Sequence, residues 1–373
     1  MVTARQFDTG VFVAGGGPVG LAAAIAAADR GLTVTLADGC RPPLDKACGE
    51  GLMPDSLASL AALGISLDGA DTARFDGIRF LSPGGCAEAR FPNGSGRGVR
   101  RTLLHSLLLA RAEALGVRFC WGSPVTGVDG EFVSLGMRLI RARWIVGADG
   151  LQSRIRRWAG LDQGAVRTRR IGLRRHYRIA PWSDFVEIYW GEHGQAYVTP
   201  VGFEQVCVAF IARAKHFSAE RALDSFPELR QRLAGAVVST SSRGALTLGR
   251  KLPQVTHGRV ALVGDASGSV DAITGEGLAL GFRQAARLAD ALAAGDLSGY
   301  EDAHRTIQRV PMFMSNTMLL MDRSRWLRDR ALGAFESSPQ LFARMLRVHV
   351  GAAPLTLFGN AGVLHLGWQL LTT

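Results

Sequence analysis

The residues with the clearest chemistry stand near the amino terminus: Gly15, Gly17 and Gly20, spaced G-x-G-x-x-G, with Pro18 between them. Glycines at this spacing allow a tight turn, the approach of a pyrophosphate to bare backbone, and close packing of a helix on a strand. An apolar run at 11–14 precedes the turn and an alanine-rich stretch to Asp29 follows it, which predicts strand, turn and helix. A helix starting there offers unpaired N–H groups and the positive end of its dipole to phosphate oxygens. A second apolar run, 32–37, ends in Asp38, placed to bond a ribose hydroxyl. This is the chemistry of a dinucleotide site.

Two later segments narrow the dinucleotide. Residues 144–149 read as a strand entering Gly147-Ala148-Asp149-Gly150, with Ser153 and Arg156 completing D-G-x-x-S-x-x-R. Residues 259–267 read as a buried strand ending in Val263-Gly264-Asp265-Ala266, followed by Thr274-Gly275-Glu276-Gly277 and an amphipathic helix to about 294. In this order the motifs resemble the FAD-dependent flavoprotein family that includes aromatic hydroxylases, flavin halogenases and geranylgeranyl reductases, over roughly the first 300 residues. The resemblance implies FAD as cofactor and NAD(P)H as a transient electron donor. It puts Asp265, beside Gly264, on the ribityl chain, and brings Gly275, Glu276 and Gly277 to the flavin pyrimidine, where the helix dipole steadies negative charge. Arg101, opening a helix over 102–115, matches the family arginine near the flavin and its phosphates, with Arg100 as the alternative assignment. Asp149 and Arg156 would be partly structural and partly in contact with NAD(P)H; a plain Asp-Gly turn is the competing reading of Asp149.

The segment Asp45-Lys46-Ala47-Cys48-Gly49-Glu50-Gly51-Leu52-Met53-Pro54 resembles the Cys-Gly-Gly-Gly loop of geranylgeranyl reductases, whose cysteine sits at the flavin and matters for catalysis. Gly49 and Gly51 permit close backbone approach, while Glu50 stands in place of one glycine. Cys48 is therefore the candidate catalytic residue, a thiol able to protonate a carbanion-like centre after hydride transfer; a small packed residue is the alternative. Tyr197-Val198-Thr199-Pro200 resembles the run that places a sheet residue over the flavin, and the Trp-x-Trp-x-Ile-Pro signature of halogenases is missing. Thr274-Gly275-Glu276-Gly277 is closer to the reductases than to the Gly-Gln-Gly of many hydroxylases, and Ala272 replaces a proline expected in both. The first functional reading is a single-component, NAD(P)H-dependent monooxygenase hydroxylating an aromatic or polyketide-like small molecule. A reductase of prenyl or other alkene bonds is the alternative, and a flavin-dependent halogenase or non-catalytic flavoprotein the third. His176, His193 and His216 are further acid–base candidates, although lone histidines on strands and loops are more often structural.

These residues need an α/β scaffold: a discontinuous, Rossmann-like GxGxxG FAD-binding domain, an inserted and mostly antiparallel β-sheet substrate domain, and a helical carboxyl-terminal region. The expected boundaries are 1–70, 98–165 and 250–300 for the first, 71–97 and 166–249 for the second, and 301–373 for the third. With 373 residues, 47% hydrophobic and 20% charged, the chain has the core for this and is not disordered. The net charge of +11 comes overwhelmingly from arginines, with no run of five or more like charges, so no nucleic-acid partner is expected. Five cysteines without CxxC spacing, and no HExxH, argue against a disulfide framework and any metal, and suit a reducing cytoplasm. The partner expected is a small, hydrophobic substrate. Met312, Met314, Met318 and Met321 read as helical core or as a cover over a greasy substrate. Residues 348–373 lack Asp, Glu, Lys and Arg but are interrupted by Pro354, Gly359, Asn360, Gly362 and Gly367. They read as packed helices or as a peripheral membrane contact.

Overall fold

The computed structural model describes residues 7–213 and 218–358. The strand Thr9–Ala14 ends at Gly15, whose φ of 114° glycine adopts at little cost, and the helix Pro18–Asp29 begins with proline where no N–H is needed. That helix is buried along most of its length, and its alanines let the helices Arg101–Ala114 and Gly277–Ala294 pack close against it. Thr9–Ala14 lies centrally in a sheet ordered Thr256–His257, Val260–Leu262, Arg138–Gly147, Thr9–Ala14, Val34–Asp38, Arg118–Trp121. Its neighbours Val34–Asp38 and Arg138–Gly147 both run parallel to it, Val11 standing opposite Val34 and Trp144. Ala14, Asp38 and Gly147 thus share the carboxyl edge of the sheet, where ligands of such folds bind.

A second sheet roofs that edge. It is antiparallel except for Phe185–Trp190 beside Gly77–Ser82, and it includes Val166–Arg178, Gly194–Gly202, Gln205–Ala212 and Arg243–Arg250. Its two inner strands are buried on both faces because alternate residues enter different cores. Val186, Ile188, Trp190, Tyr197 and Ile211 join a core with Met318, Phe335 and Phe342 of the carboxyl-terminal helices. Tyr189, Ala196, Val198 and Phe210 face the other way, onto Phe226 and Leu229.

The predicted strand over 259–267 is shorter, Val260–Leu262, because Gly264 takes a φ of 64° and turns the chain into the 3-10 helix Gly264–Ser267. Met314, Met318 and Met321 lie on the buried side of the helix Ser298–Arg323 and are core residues. Among the described residues no helix is long and apolar enough to cross a membrane. The stretch 348–373 is described only to residue 358, with Val348 and Val350 buried; the rest of it, with its proposed membrane contact, and His216 lie outside the described residues.

A buried charge network fastens the three regions together. Arg170 of the roof stands 3.2 Å from Asp271, in the loop before Gly275, and 3.7 Å from Asp322 on the carboxyl-terminal helix Ser298–Arg323, each about 1–2% exposed. Gln195 bonds both Arg170 and Asp322. Removing one member strands its buried partners. Asp322→Ala is expected to cost about 3 kcal/mol, read as a lower urea midpoint; an unchanged midpoint would show that the network does not hold the helix to the roof.

Candidate functional site

Between the carboxyl edge of the parallel sheet and the roof runs a cavity of about 970 Å³. Gly15, Gly17, Pro18 and Asp38 line it together with Arg101, Asp149 and Asp265, and so do Cys48, Gly49, Gly51, Gly264, Gly275 and Gly277. The glycines of the first turn divide by role. A Cβ on Gly20 would stand 1.9 Å from the Gly15 carbonyl oxygen, so Gly20 is bare to let helix meet strand. A Cβ on Gly17 would meet nothing within 4 Å, so no protein contact requires that glycine, and the open space belongs to the cavity. Gly275 and Gly277 are likewise open, and Gly275 sits in the left-handed region with a φ of 69°. A cavity of this size, walled by a bare glycine turn and by open glycines at a helix start, fits FAD.

The carboxylate of Asp38 accepts the N–H of Gly16 at 2.7 Å and of Cys40 at 2.8 Å, so it shapes the glycine turn while facing the cavity. His105, which the sequence did not single out, secures the same turn: its Nε2 lies 2.9 Å from the Gly16 carbonyl oxygen, and burial lowers its pKa, favouring the neutral ring. Arg101 borders the cavity, whereas Arg100 is drawn to Gln205 at 2.6 Å and Glu50 at 3.7 Å. Asp149 accepts from the Ser153 hydroxyl and from the N–H groups of Arg154 at 2.7 Å and Ile155 at 3.2 Å, capping the helix Arg154–Trp158. Arg156 is buried on Asp162, the Leu151 carbonyl and the Ala266 carbonyl. The D-G-x-x-S-x-x-R motif therefore ties its own turn to the loop carrying Asp265. Asp265 is half-exposed on the cavity wall with Lys46 Nζ at 3.9 Å.

Glu276 departs from expectation. Its backbone precedes Gly277 at the helix start, but its buried side chain lies outside the cavity wall, toward Asp55, His349 and Arg283. The left-handed turn at Gly275 leaves the cavity face to the two glycines and sends the carboxyl behind them.

Glu50, which sequence reading treated only as a departure, proves central. It holds a φ of 59°, unusual for a side-chain-bearing residue and costing on the order of 1 kcal/mol. Its buried carboxylate offsets this by accepting the Arg101 N–H at 2.9 Å and lying 2.6 Å from His176 Nε2 and 3.4 Å from Arg174 Nη1. A charged residue at a glycine position between two other glycines was the signal available. His176 is thus consumed in this cluster, with Thr240 at its other nitrogen, and does not line the cavity; His193 is exposed on a turn. Glu50, His176 and Cys207 present donors within 4.8 Å of one another, a spacing a metal ion accepts. Here the cation beside the carboxylate is the Arg174 guanidinium, which also bonds Asp45 at 2.6 Å. Burial first, and the Glu50 charge second, push the Cys207 thiol well above its ordinary value, so it is protonated. Cys48 borders the cavity, its Sγ accepting the Glu50 N–H at 3.4 Å and its carbonyl facing the Cys207 thiol at 3.7 Å.

The FAD binding domain family matches residues 8–300 of the chain. The chain belongs to that family. Among its relatives, the menaquinone reductase of Mycobacterium tuberculosis is 29% identical over 317 residues, 77% of each chain. AqdB1 of Rhodococcus erythropolis, provisionally named a 2-heptyl-3-hydroxy-4(1H)-quinolone synthase, is 31% identical over 361 residues, 86% of this chain and 91% of that one. A flavoprotein/dehydrogenase from Cytophaga hutchinsonii shares the fold with a TM-score of 0.83 at 18% identity, covering 97% of this flavoprotein and 98% of the other. The chain is an FAD-dependent oxidoreductase of this superfamily.

The two glycine roles separate by experiment. Gly17→Val is expected to leave the melting temperature near wild type while the purified protein loses most of its FAD absorbance; Gly20→Val is expected to yield little folded protein. Full flavin content in a folded Gly17→Val protein would contradict the site.

Proposed function

We propose that this flavoprotein is a monooxygenase that takes electrons from NAD(P)H and hydroxylates a hydrophobic aromatic or polyketide-like small molecule. FAD, when bound, supplies hydride acceptance and, once reduced, the reaction with dioxygen. The residues on its dinucleotide side bind and orient: Gly17 and the helix start at Pro18 receive the pyrophosphate, Asp38 the ribose, Arg101 a phosphate, and Asp265 the ribityl chain. Gly275 and Gly277 admit the pyrimidine edge to the start of the helix Gly277–Ala294.

The roof chooses the substrate. Ile78, Val186, Ile188 and Ile211 face the cavity, with Met53 and the Tyr197 ring beside them. The Tyr197 hydroxyl donates to the Ile273 carbonyl at 2.8 Å, so this ring is a fixed wall and not an acid. Such a surface excludes water and favours an apolar, flat substrate.

The observation that carries the oxygen-dependent reading over double-bond reduction is the state of the Cys48 loop. Cys48 Sγ is turned onto the Glu50 N–H, and the Glu50 carboxylate is already bound by Arg101, His176 and Arg174. That leaves the thiol without a wired proton source, so Cys48 shapes the loop. The alternative, reduction of an alkene, is supported by the presence of Cys48, Gly49 and Gly51 together on the cavity wall and by the likeness to a menaquinone reductase.

NAD(P)H oxidation is therefore expected to consume oxygen and to stop without it, and Cys48→Ser to keep turnover within about threefold. Anaerobic double-bond reduction that falls by about 100-fold or more in Cys48→Ser would establish the alternative, since that is what loss of a general acid commonly costs.

A further inference from the structure

Behind the cavity wall, three helices close over a second group of titratable side chains that the proposed chemistry does not use. Glu276 stands at the start of the helix Gly277–Ala294, Asp55 in the first turn of Pro54–Ala62, and His349 at the end of Pro339–His349. Neither carboxylate oxygen of Glu276 has a hydrogen-bond partner, although its side chain is fully buried. The carboxylate oxygens of Asp55, 13% exposed, also lack a hydrogen-bond partner, with Arg283 Nη2 at 3.7 Å. His349 Nδ1 is 3.5 Å from Glu276 Oε2, and its side chain keeps 13% exposure, as does that of Asp55, so the histidine gives Glu276 a direct contact that reaches solvent. A buried carboxylate without donors is costly, and a proton is the least disruptive remedy.

We propose that Glu276 is a positioning residue that accepts a proton from solvent, by way of His349, when the FAD bound at the neighbouring glycines is reduced. The inference rests on the FAD site at Gly275 and Gly277. Negative charge on the reduced cofactor draws on the same helix N-terminus that an ionised Glu276 would occupy, so the two charges compete. Protonation of Glu276 removes the competitor and leaves the dipole to the cofactor. The electrons come from the reductant and the proton from solvent.

The charged and titratable groups facing Glu276 set the pH window. Burial first, and the Asp55 carboxylate second, raise Glu276 to about 8, with Arg283 and Thr274 opposing. Burial also raises Asp55 and lowers His349 to about 4, so the histidine is neutral. Below about 8, Glu276 is protonated in both redox states and contributes no pH dependence. Above it, the oxidised protein carries a carboxylate, and reduction raises that pKa further and takes up a proton.

The test is the flavin midpoint potential of the FAD-loaded protein, followed by absorbance in a reductive titration from pH 6 to 10. In the wild-type protein the potential is expected to fall more steeply with pH above about 8, and in Glu276→Gln this steepening is expected to vanish with flavin content retained. Asp55→Asn, which removes the second cause of the shift, is expected to move the break to lower pH and keeps the proposal testable should Glu276→Gln fold poorly. Identical slopes in wild type and Glu276→Gln, or a break that Asp55→Asn leaves in place, would overturn it. A wild-type protein that takes up no FAD would overturn the underlying site as well, and shows itself by the absence of flavin absorbance.

Discussion

Everything in this structure depends on one close contact, the meeting of helix Pro18–Asp29 with the turn that launches it. The Gly15 carbonyl oxygen occupies the space where a Cβ on Gly20 would stand at 1.9 Å, and a Cβ on Gly15 would lie 2.4 Å from the Ala148 carbonyl oxygen. Bare backbone at both points lets the helix rest on the sheet while the Asp149 turn closes alongside. The adjacent Gly17 then faces open cavity, its freedom created by the tightness of its neighbours. Asp38 and His105 grip Gly16 from two further elements, so the phosphate end of the site is rigid before any ligand arrives.

The remainder of the site is assembled by buried charge. Glu50 gathers Arg101, Arg174 and His176, joining the Cys48 loop to the helix at Arg101 and to the roof strand Val166–Arg178. Arg170 on that same strand reaches Asp271 and Asp322. Ion pairs with exposure near 1% repay their desolvation only when geometry and extra hydrogen bonds are good, and their gain here is one of position. They fix where the roof lies over the parallel sheet, and with it the height of the cavity. Apolar packing alone would let the two layers slide.

Two carboxyls beside the cavity glycines are treated in opposite ways. Glu50 meets a backbone donor, a histidine and a guanidinium, and is held as a strut between them. Glu276 makes no hydrogen bond within normal geometry and faces another carboxyl, and burial pushes it toward its neutral form. Two residues of one type, each beside glycines that line the same cavity, thus meet opposite surroundings, one rich in donors and one without a hydrogen bond.

The amino-acid order by itself determined the parts that are local. G-x-G-x-x-G followed by a strand ending in Asp38 dictates a turn and a helix whatever follows, because glycine spacing and hydrophobic period act over a few residues. The helix Gly277–Ala294 was legible for the same reason, and the ordered motifs carried the FAD reading. What only the tertiary structure decided is where side chains point once distant segments meet. Glu276 lies beside two cavity glycines in sequence yet faces Asp55 and His349, about 220 residues before it and 73 after it, and no local pattern encodes that meeting. Glu50 looked like a flaw in a glycine loop until Arg174 and His176 arrived from the roof. Charge pairing at a distance has no period in sequence; it exists only where the fold brings low dielectric and partners together.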